Sequence, residues 1–188
     1  MPVSSRKRSN TRTSNRSNSK GKDAIALLMQ DHKNVRQLLK RLEATTERST
    51  DQREQLLSNI ESEVKMHTMI EEEIFYPAYK DAVRTRDDKE LYFEALEEHH
   101  VVDLVMPEIK STETNSDDFG AKAKVLKDLI EHHAKEEETQ MFPKARKAMG
   151  AARLKELGQE IQERKHELST FLFGRTIERM RGVRRRVA

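Results

Sequence analysis

Residues His67-Thr-Met-Ile-Glu71-Glu-Glu-Ile-Phe-Tyr-Pro77 return 66 positions later as His133-Ala-Lys-Glu-Glu137-Glu-Thr-Gln-Met-Phe-Pro143. Asp31-His32, followed by Val35 and Leu38, returns 67 positions later as Glu98-His99, followed by Val102 and Val105. Each half of the chain thus carries a lone histidine and then a His-x-x-x-Glu pair. Two helical hairpins of one kind, packed face to face, would give a bundle with a pseudo-two-fold axis.

The apolar pattern supports four long helices. The first runs from a cap at Asp23 to about Ala44, with Ile25, Leu28, Met29, His32, Val35, Leu38, Leu39 and Leu42 on one stripe. The second runs from Asp51 to Val83 with Ile60, Val64, His67, Glu71, Ile74 and Ala78 inward. The third spans Asp88 to Ile109 through Tyr92, Ala95, Leu96, His99, Val102, Met106 and Ile109. The fourth spans Asp118 to Ala148 through Val125, Leu126, Leu129, Ile130, His133, Glu137 and Met141, and Gly150 ends it. A fifth helical segment over 151–173 either lies across the bundle or makes a subunit contact. Only 6 glycines and 4 prolines in 188 residues, with 37% charged side chains, fit an all-α fold better than sheet.

The expected organisation is a basic disordered tail over 1–22, an up-down-up-down four-helix bundle over 23–148, and a C-terminal helix with a basic tail over 149–188. The net charge of +3 conceals this division, because the first tail carries +7 and residues 175–188 carry +5, leaving −9 on the body. Such arms could attach weakly to nucleic acid or an anionic surface, although no aromatics accompany the N-terminal charges for base stacking. No apolar run approaches the roughly 18 residues that cross a bilayer, and no secretory segment opens the chain, so a soluble cytoplasmic protein is expected.

The chain has no cysteine, so any metal must be held by nitrogen and oxygen. Counted from the expected turns, His32, His67, His99 and His133 lie 13 to 17 residues along their helices. At about 1.5 Å per residue their levels differ by at most roughly 6 Å. His67 with Glu71 and His133 with Glu137 stand four apart, on one face of a helix each. Two buried carboxylates without a counter-charge would be very costly, which makes four imidazoles and two carboxylates at one level a candidate metal site. His100, His132 and His166 read as hydrogen-bonded core or interface residues rather than ligands, provided that the helix phase does not exchange His100 with His99 or His132 with His133. Glu72, Glu73, Glu136 and Glu138 read as surface groups or as carboxylates that orient ligand imidazoles, and Asp103, four after His99, is an outside candidate for a ligand.

The order His32, His67-x-x-x-Glu71 with Phe75-Tyr76-Pro77, His99, and His133-x-x-x-Glu137 with Phe142-Pro143 resembles the hemerythrin-like family and its HHE cation-binding domains, over residues 23–148. The resemblance implies a non-haem di-iron centre in which His32 and His67 serve one iron, His99 and His133 the other, and Glu71 and Glu137 bridge them. Zinc or manganese also suits these donors. Oxygen-carrying hemerythrins place a fifth inner histidine where this chain has Asp103, and a bridging aspartate where it has Glu138. The resemblance therefore points to a protein that binds, senses or detoxifies dioxygen, peroxide or nitric oxide more than to a reversible carrier. A different class is a metal-stabilised helical protein that binds its partners through the basic tails.

Overall fold

The computed structural model describes residues 21–184, with side chains as far as residue 170. The expected N-terminal arm therefore lies outside the described residues but for residues 21 and 22, and of the C-terminal arm only the backbone of 175–184 is described, as the end of a helix. The side chains of Phe171, Leu172 and Phe173 also lie outside the described part. The described chain is all helical: α1 (Ala24–Glu43), α2 (Thr50–Ile70), a π-helical turn (Glu71–Phe75), α3 (Tyr76–Ala82), α4 (Arg86–Lys110), α5 (Asp117–Glu136), a second π-helical turn (Glu137–Met141) and α6 (Phe142–Arg184). Each π turn joins its flanking helices end to end, so α2 with α3 and α5 with the start of α6 act as single rods. Four rods result, with α1 beside α2 and α5, and α4 beside α5 and α2. This is the expected four-helix bundle. No helix among the described residues is long and apolar enough to cross a membrane.

The helix ends follow their capping chemistry. The Asp23 side chain accepts a hydrogen bond from the Ala26 amide at 2.8 Å, Thr85 accepts from Asp88 and Ser116 from Phe119. Asp87, Asp88, Asp117 and Asp118 place negative charge in the first turns of α4 and α5, where the helix dipole favours it.

The π turns are where the structure departs most from a regular periodic reading. Each precedes a proline, Pro77 or Pro143, whose ring in an α-helix would collide with the carbonyl four residues back. In the turn the Tyr76 amide bonds the Glu71 carbonyl, and the Phe142 amide bonds that of Glu137, five residues back. One extra residue per turn advances the inner stripe by one position. Consequently Phe75 and Tyr79 are fully buried, where an unbroken helix would bury Ile74 and Ala78. Tyr76 is fully buried as well. Two other inward assignments are corrected: Met29 and Val125 are exposed, since each lies one position off the stripe set by Leu28 and Leu126.

The core divides into two apolar clusters. One is rich in aromatics and contains Ile25, Leu28, Ile70, Phe75, Tyr76, Tyr79 and Phe142. The other is aliphatic and contains Val35, Leu39, Ile60, Val64, Val102, Met106 and Ile130. His32, His67, His99 and His133 form a buried polar layer between them.

Gly150 ends the fourth rod with φ 72° and ψ 169°, a left-handed turn that only glycine makes without strain. Beyond it α6 folds back across the bundle, and Leu154, Leu157 and Ile161 enter the aromatic cluster beside α1. Of the two expectations for the fifth segment, this is the first. The approach is close at Gly158, where an added Cβ would stand 2.5 Å from the Lys22 carbonyl oxygen and 3.0 Å from the Ala24 nitrogen. Both are backbone atoms that cannot swing aside. A Gly158→Ala variant is expected to lose about 1–3 kcal/mol of stability. Gly120→Ala, at a helical site with open space around it, should be neutral or gain up to about 1 kcal/mol. Denaturant unfolding of the two variants checks the contrast; equal effects would contradict the packing.

Candidate metal centre

Each rod contributes to the polar layer: α1 supplies His32, α2 supplies His67, α4 supplies His99 and α5 supplies His133. The first residues of the two π turns, Glu71 and Glu137, are 0% and 2% exposed. All six residues expected at the site are therefore buried together. The Nε2 atoms of His32 and His67 lie 3.1 Å apart, as do those of His99 and His133. Glu71 Oε2 stands 3.1 Å from Nε2 of His67, 3.4 Å from that of His99 and 4.0 Å from that of His133. Glu137 Oε2 stands 3.1 Å from Nε2 of His32 and 3.5 Å from that of His133. Each carboxylate therefore reaches histidines of both pairs.

The outer nitrogens of the rings explain their orientation. Nδ1 of His32 donates to Glu138 Oε1 at 2.8 Å, that of His99 to Glu72 Oε1 at 2.8 Å, and that of His133 to Glu98 Oε2 at 2.7 Å. Nδ1 of His67 faces Asp31 Oδ2 at 3.6 Å, an electrostatic contact too long for a hydrogen bond. The repeat generates this pattern: the carboxylate before one lone histidine serves the histidine of a His-x-x-x-Glu pair, and the carboxylate after that pair's Glu serves the other lone histidine. An ionised carboxylate only accepts, so the Nδ1 atoms carry the protons and a neutral ring turns its Nε2 lone pair inward. Of the four glutamates expected near the site, Glu72 and Glu138 hold imidazoles of the layer. Glu73 instead pairs with Arg164, and Glu136 lies near the exposed His132. Asp103 is exposed and away from the layer, and His100 and His132 are exposed.

Electrostatics follow from this crowding. Burial opposes the charge on His32, yet its bonds to Glu137 and Glu138 carry it up to about 9. Burial likewise opposes the charge on His133, and the charge of Glu137 with bonds to Glu71 and Glu98 raises it well above the ordinary range. Burial pushes the Glu71 carboxyl upward, but the charge of His67 and bonds from His133 and His99 hold it well below the ordinary value. The bond from His32, helped by Arg36, brings Glu138 down to about 2.

The donor set fits metal ions. Beyond their charged contacts with the imidazoles, neither oxygen of Glu71 nor Oε2 of Glu137 has a well-formed hydrogen bond, although buried acceptors rarely lack one. Two ligand atoms bound at about 2.1 Å to one ion stand roughly 3.0–3.5 Å apart, which is the spacing of the facing Nε2 and Oε2 atoms here. The residues divide into two groups that could each hold an ion, one of His32, His67, Glu71 and Glu137 and the other of Glu71, His99 and His133. Glu71 belongs to both. This donor set is of the di-metal type.

Tyr76 is the functional candidate that periodicity missed. Its ring stacks on His99 at 5.5 Å, and its Oη donates to Glu137 Oε1 at 3.0 Å while lying 3.3 Å from His99 Nε2. Burial, with the negative charges of Glu137 and Glu71, raises the phenol well above its usual value and keeps it protonated. The equivalent residue in the other half is Phe142, which stacks on His32 at 5.8 Å and has no hydroxyl. The difference between Tyr-Pro and Phe-Pro in the two repeats was the available signal.

Fold and site define a four-helix-bundle metalloprotein of the histidine and carboxylate kind. The sequence model of the hemerythrin HHE cation binding domain matches residues 23–145, and the chain belongs to that family. Among solved structures, the chain is similar to a hemerythrin HHE cation binding domain-containing protein from Mycobacterium kansasii. The TM-score is 0.68 and the identity 24%, over 78% of this chain and 86% of that one, a likeness of fold. A search of curated proteins found no match.

Metal loading has a predicted pH dependence. A ligand histidine must give up its inner proton before it can coordinate. His32, raised to about 9, is protonated at pH 7 without metal, so loading should release protons and apparent affinity should climb as pH rises from 6.5 towards 9. In the metal-free protein the sign reverses: the raised His32 stabilises below about 6.5, and that contribution disappears as pH passes through 9. Calorimetry in buffers of different ionisation enthalpy measures the released protons; a proton count of zero at pH 7 would contradict the assignment.

Proposed function

We propose that this protein is a non-haem di-iron protein that binds and reacts with a small oxidant, namely dioxygen, peroxide or nitric oxide. In this reading His32 and His67 hold one iron, His99 and His133 the other, and Glu71 and Glu137 bridge them. Zinc or manganese is the alternative occupant of the same donors. The observation that carries the oxidant reading is a cavity of about 30 Å³ at the inner edge of the histidine layer. It is lined by all four histidines together with Val35, Val64, Val102, Thr68, Ile130 and Ala134.

A water needs about 10–15 Å³ of such space, so the cavity suits a molecule of about two heavy atoms. Its aliphatic wall offers no charged group to hold a larger polar substrate. The wall is built mainly from valines and an isoleucine of the aliphatic cluster.

Bound iron would supply redox chemistry with the oxidant. The protein's own groups do the rest. Glu72, Glu98 and Glu138 fix the imidazole rings and add electron density to them. The packed valines keep bulk water from the open side. Tyr76 holds a proton at Oη beside Glu137 and His99, on the half whose metal-ligating group has three members against four, where it can give a proton to a reduced oxygen species. Six carboxylates within or beside the histidine layer favour the higher oxidation state of a metal and disfavour reversible oxygen carriage.

Stopped-flow mixing of the iron-loaded, reduced protein with dioxygen, hydrogen peroxide and nitric oxide tests this reading. Rapid optical change with at least one of them is expected. Spectral silence with all three would leave a structural metal site, and an oxygen adduct released intact under vacuum would make the protein a carrier. Tyr76→Phe should keep its iron while reacting at least about tenfold more slowly with peroxide, given the usual contribution of a placed proton donor. An unchanged rate would remove Tyr76 from the chemistry.

A further inference from the structure

The pseudo-two-fold relation also fails outside the buried layer, at the carboxylates before the lone histidines. Asp31 and Glu98 hold equivalent positions, each beside Nδ1 of an inner histidine. Asp31 is neutralised, because Lys165 on α6 binds both of its oxygens. Glu98 instead faces His132, whose Nε2 lies 3.4 Å from Glu98 Oε1 and 3.8 Å from Glu136 Oε2. The residues equivalent to His132 and Glu136 in the other half are Met66 and Ile70, so this grouping belongs to one half alone.

We propose that Glu98, His132 and Glu136 form an outer site for a divalent transition-metal ion such as Mn²⁺, Fe²⁺ or Zn²⁺, sharing Glu98 with the buried centre. The three ligand atoms lie within 4.8 Å of one another. One imidazole nitrogen and two carboxylate oxygens are donors that suit these ions.

The spacing of this group is that of donors sharing an ion. Charge-assisted bonds close to about 2.7–2.9 Å, as the inner Nδ1 contacts of His32, His99 and His133 do at 2.7–2.8 Å. The contacts at His132 stay open at 3.4 and 3.8 Å, near the separation of two atoms that share an ion.

Both carboxylates are also pre-oriented by donors outside the group. Glu98 Oε2 is occupied by the Nδ1–H of His133 at 2.7 Å, which turns Oε1 towards His132. Glu136 Oε1 accepts from the Gln140 amide at 3.2 Å, which leaves Oε2 on the same side. The two carboxylates are 22% and 26% exposed, whereas His132 is 63% exposed, so an ion arrives from solvent and keeps water on its open positions. An ion there withdraws charge from the carboxylate that holds His133, and so links surface occupancy to the inner ligand field.

The site does not depend on which ions fill the buried centre. Iron-loaded full-length protein is titrated with Mn²⁺, with free Mn²⁺ followed by electron paramagnetic resonance. One additional equivalent should bind per chain, and the double variant His132→Ala, Glu136→Ala should weaken it by at least about tenfold while the iron content of the buried centre stays unchanged. In Glu71→Gln, which impairs the buried layer, the Mn²⁺ equivalent should persist. Absence of Mn²⁺ binding by the parent protein at millimolar concentration, or equal binding by the double variant, would overturn the proposal. Loss of the equivalent in Glu71→Gln alone would place the ion in the buried centre and likewise overturn it.

Discussion

Two carboxylates with essentially no contact with solvent, Glu71 and Glu137, set the terms for the rest of the molecule. Removing one ionised carboxylate from water costs several kcal/mol even after the protein relaxes, and attraction to nearby positive charge must offset it. Among the described residues no lysine or arginine pairs with either carboxylate. The positive charge available there is either protons on the surrounding imidazoles or metal ions in their place. The raised His32 and His133 are the first solution, and the facing Nε2 pairs are geometry suited to the second.

The near-symmetry of the bundle is useful chiefly where it breaks. Both halves present a lone histidine, a His-x-x-x-Glu pair and a π turn before proline, so they offer almost the same ligands. Tyr76 against Phe142 gives one histidine pair a phenol and the other a plain ring. Lys165 on Asp31 covers one flank with α6, while Glu98 on the other flank meets an exposed histidine. Two chemically unequal groups of donors follow, one beside a phenol and one beneath the returning helix.

The four helices and the six inner residues could be read from sequence because helical phase and turn position are local properties. A histidine 13 to 17 residues from a short turn has little freedom in level, and the spacing His67 to Glu71 fixes the face. What could not be read was the π turn. A regular period carried past Glu71 selects Ile74 and Ala78, and only the insertion of one residue before Pro77 brings in Phe75, Tyr76 and Tyr79. Similarly, the sequence offered Glu72, Glu73, Glu136 and Glu138 as equals. Which of them reaches a histidine depends on the approach of a neighbouring helix: Glu138 crosses to His32 and Glu72 to His99, while Glu73 turns outward to Arg164.

The account rests on the claim that two metal ions stand between the histidine pairs and share Glu71 and Glu137. The most direct measurement is anomalous diffraction at the iron edge from crystals of the native protein grown with iron. Two peaks are predicted, one flanked by His32 and His67 and the other by His99 and His133, each within bonding reach of a shared glutamate. A single peak, or none in the histidine layer, would contradict it.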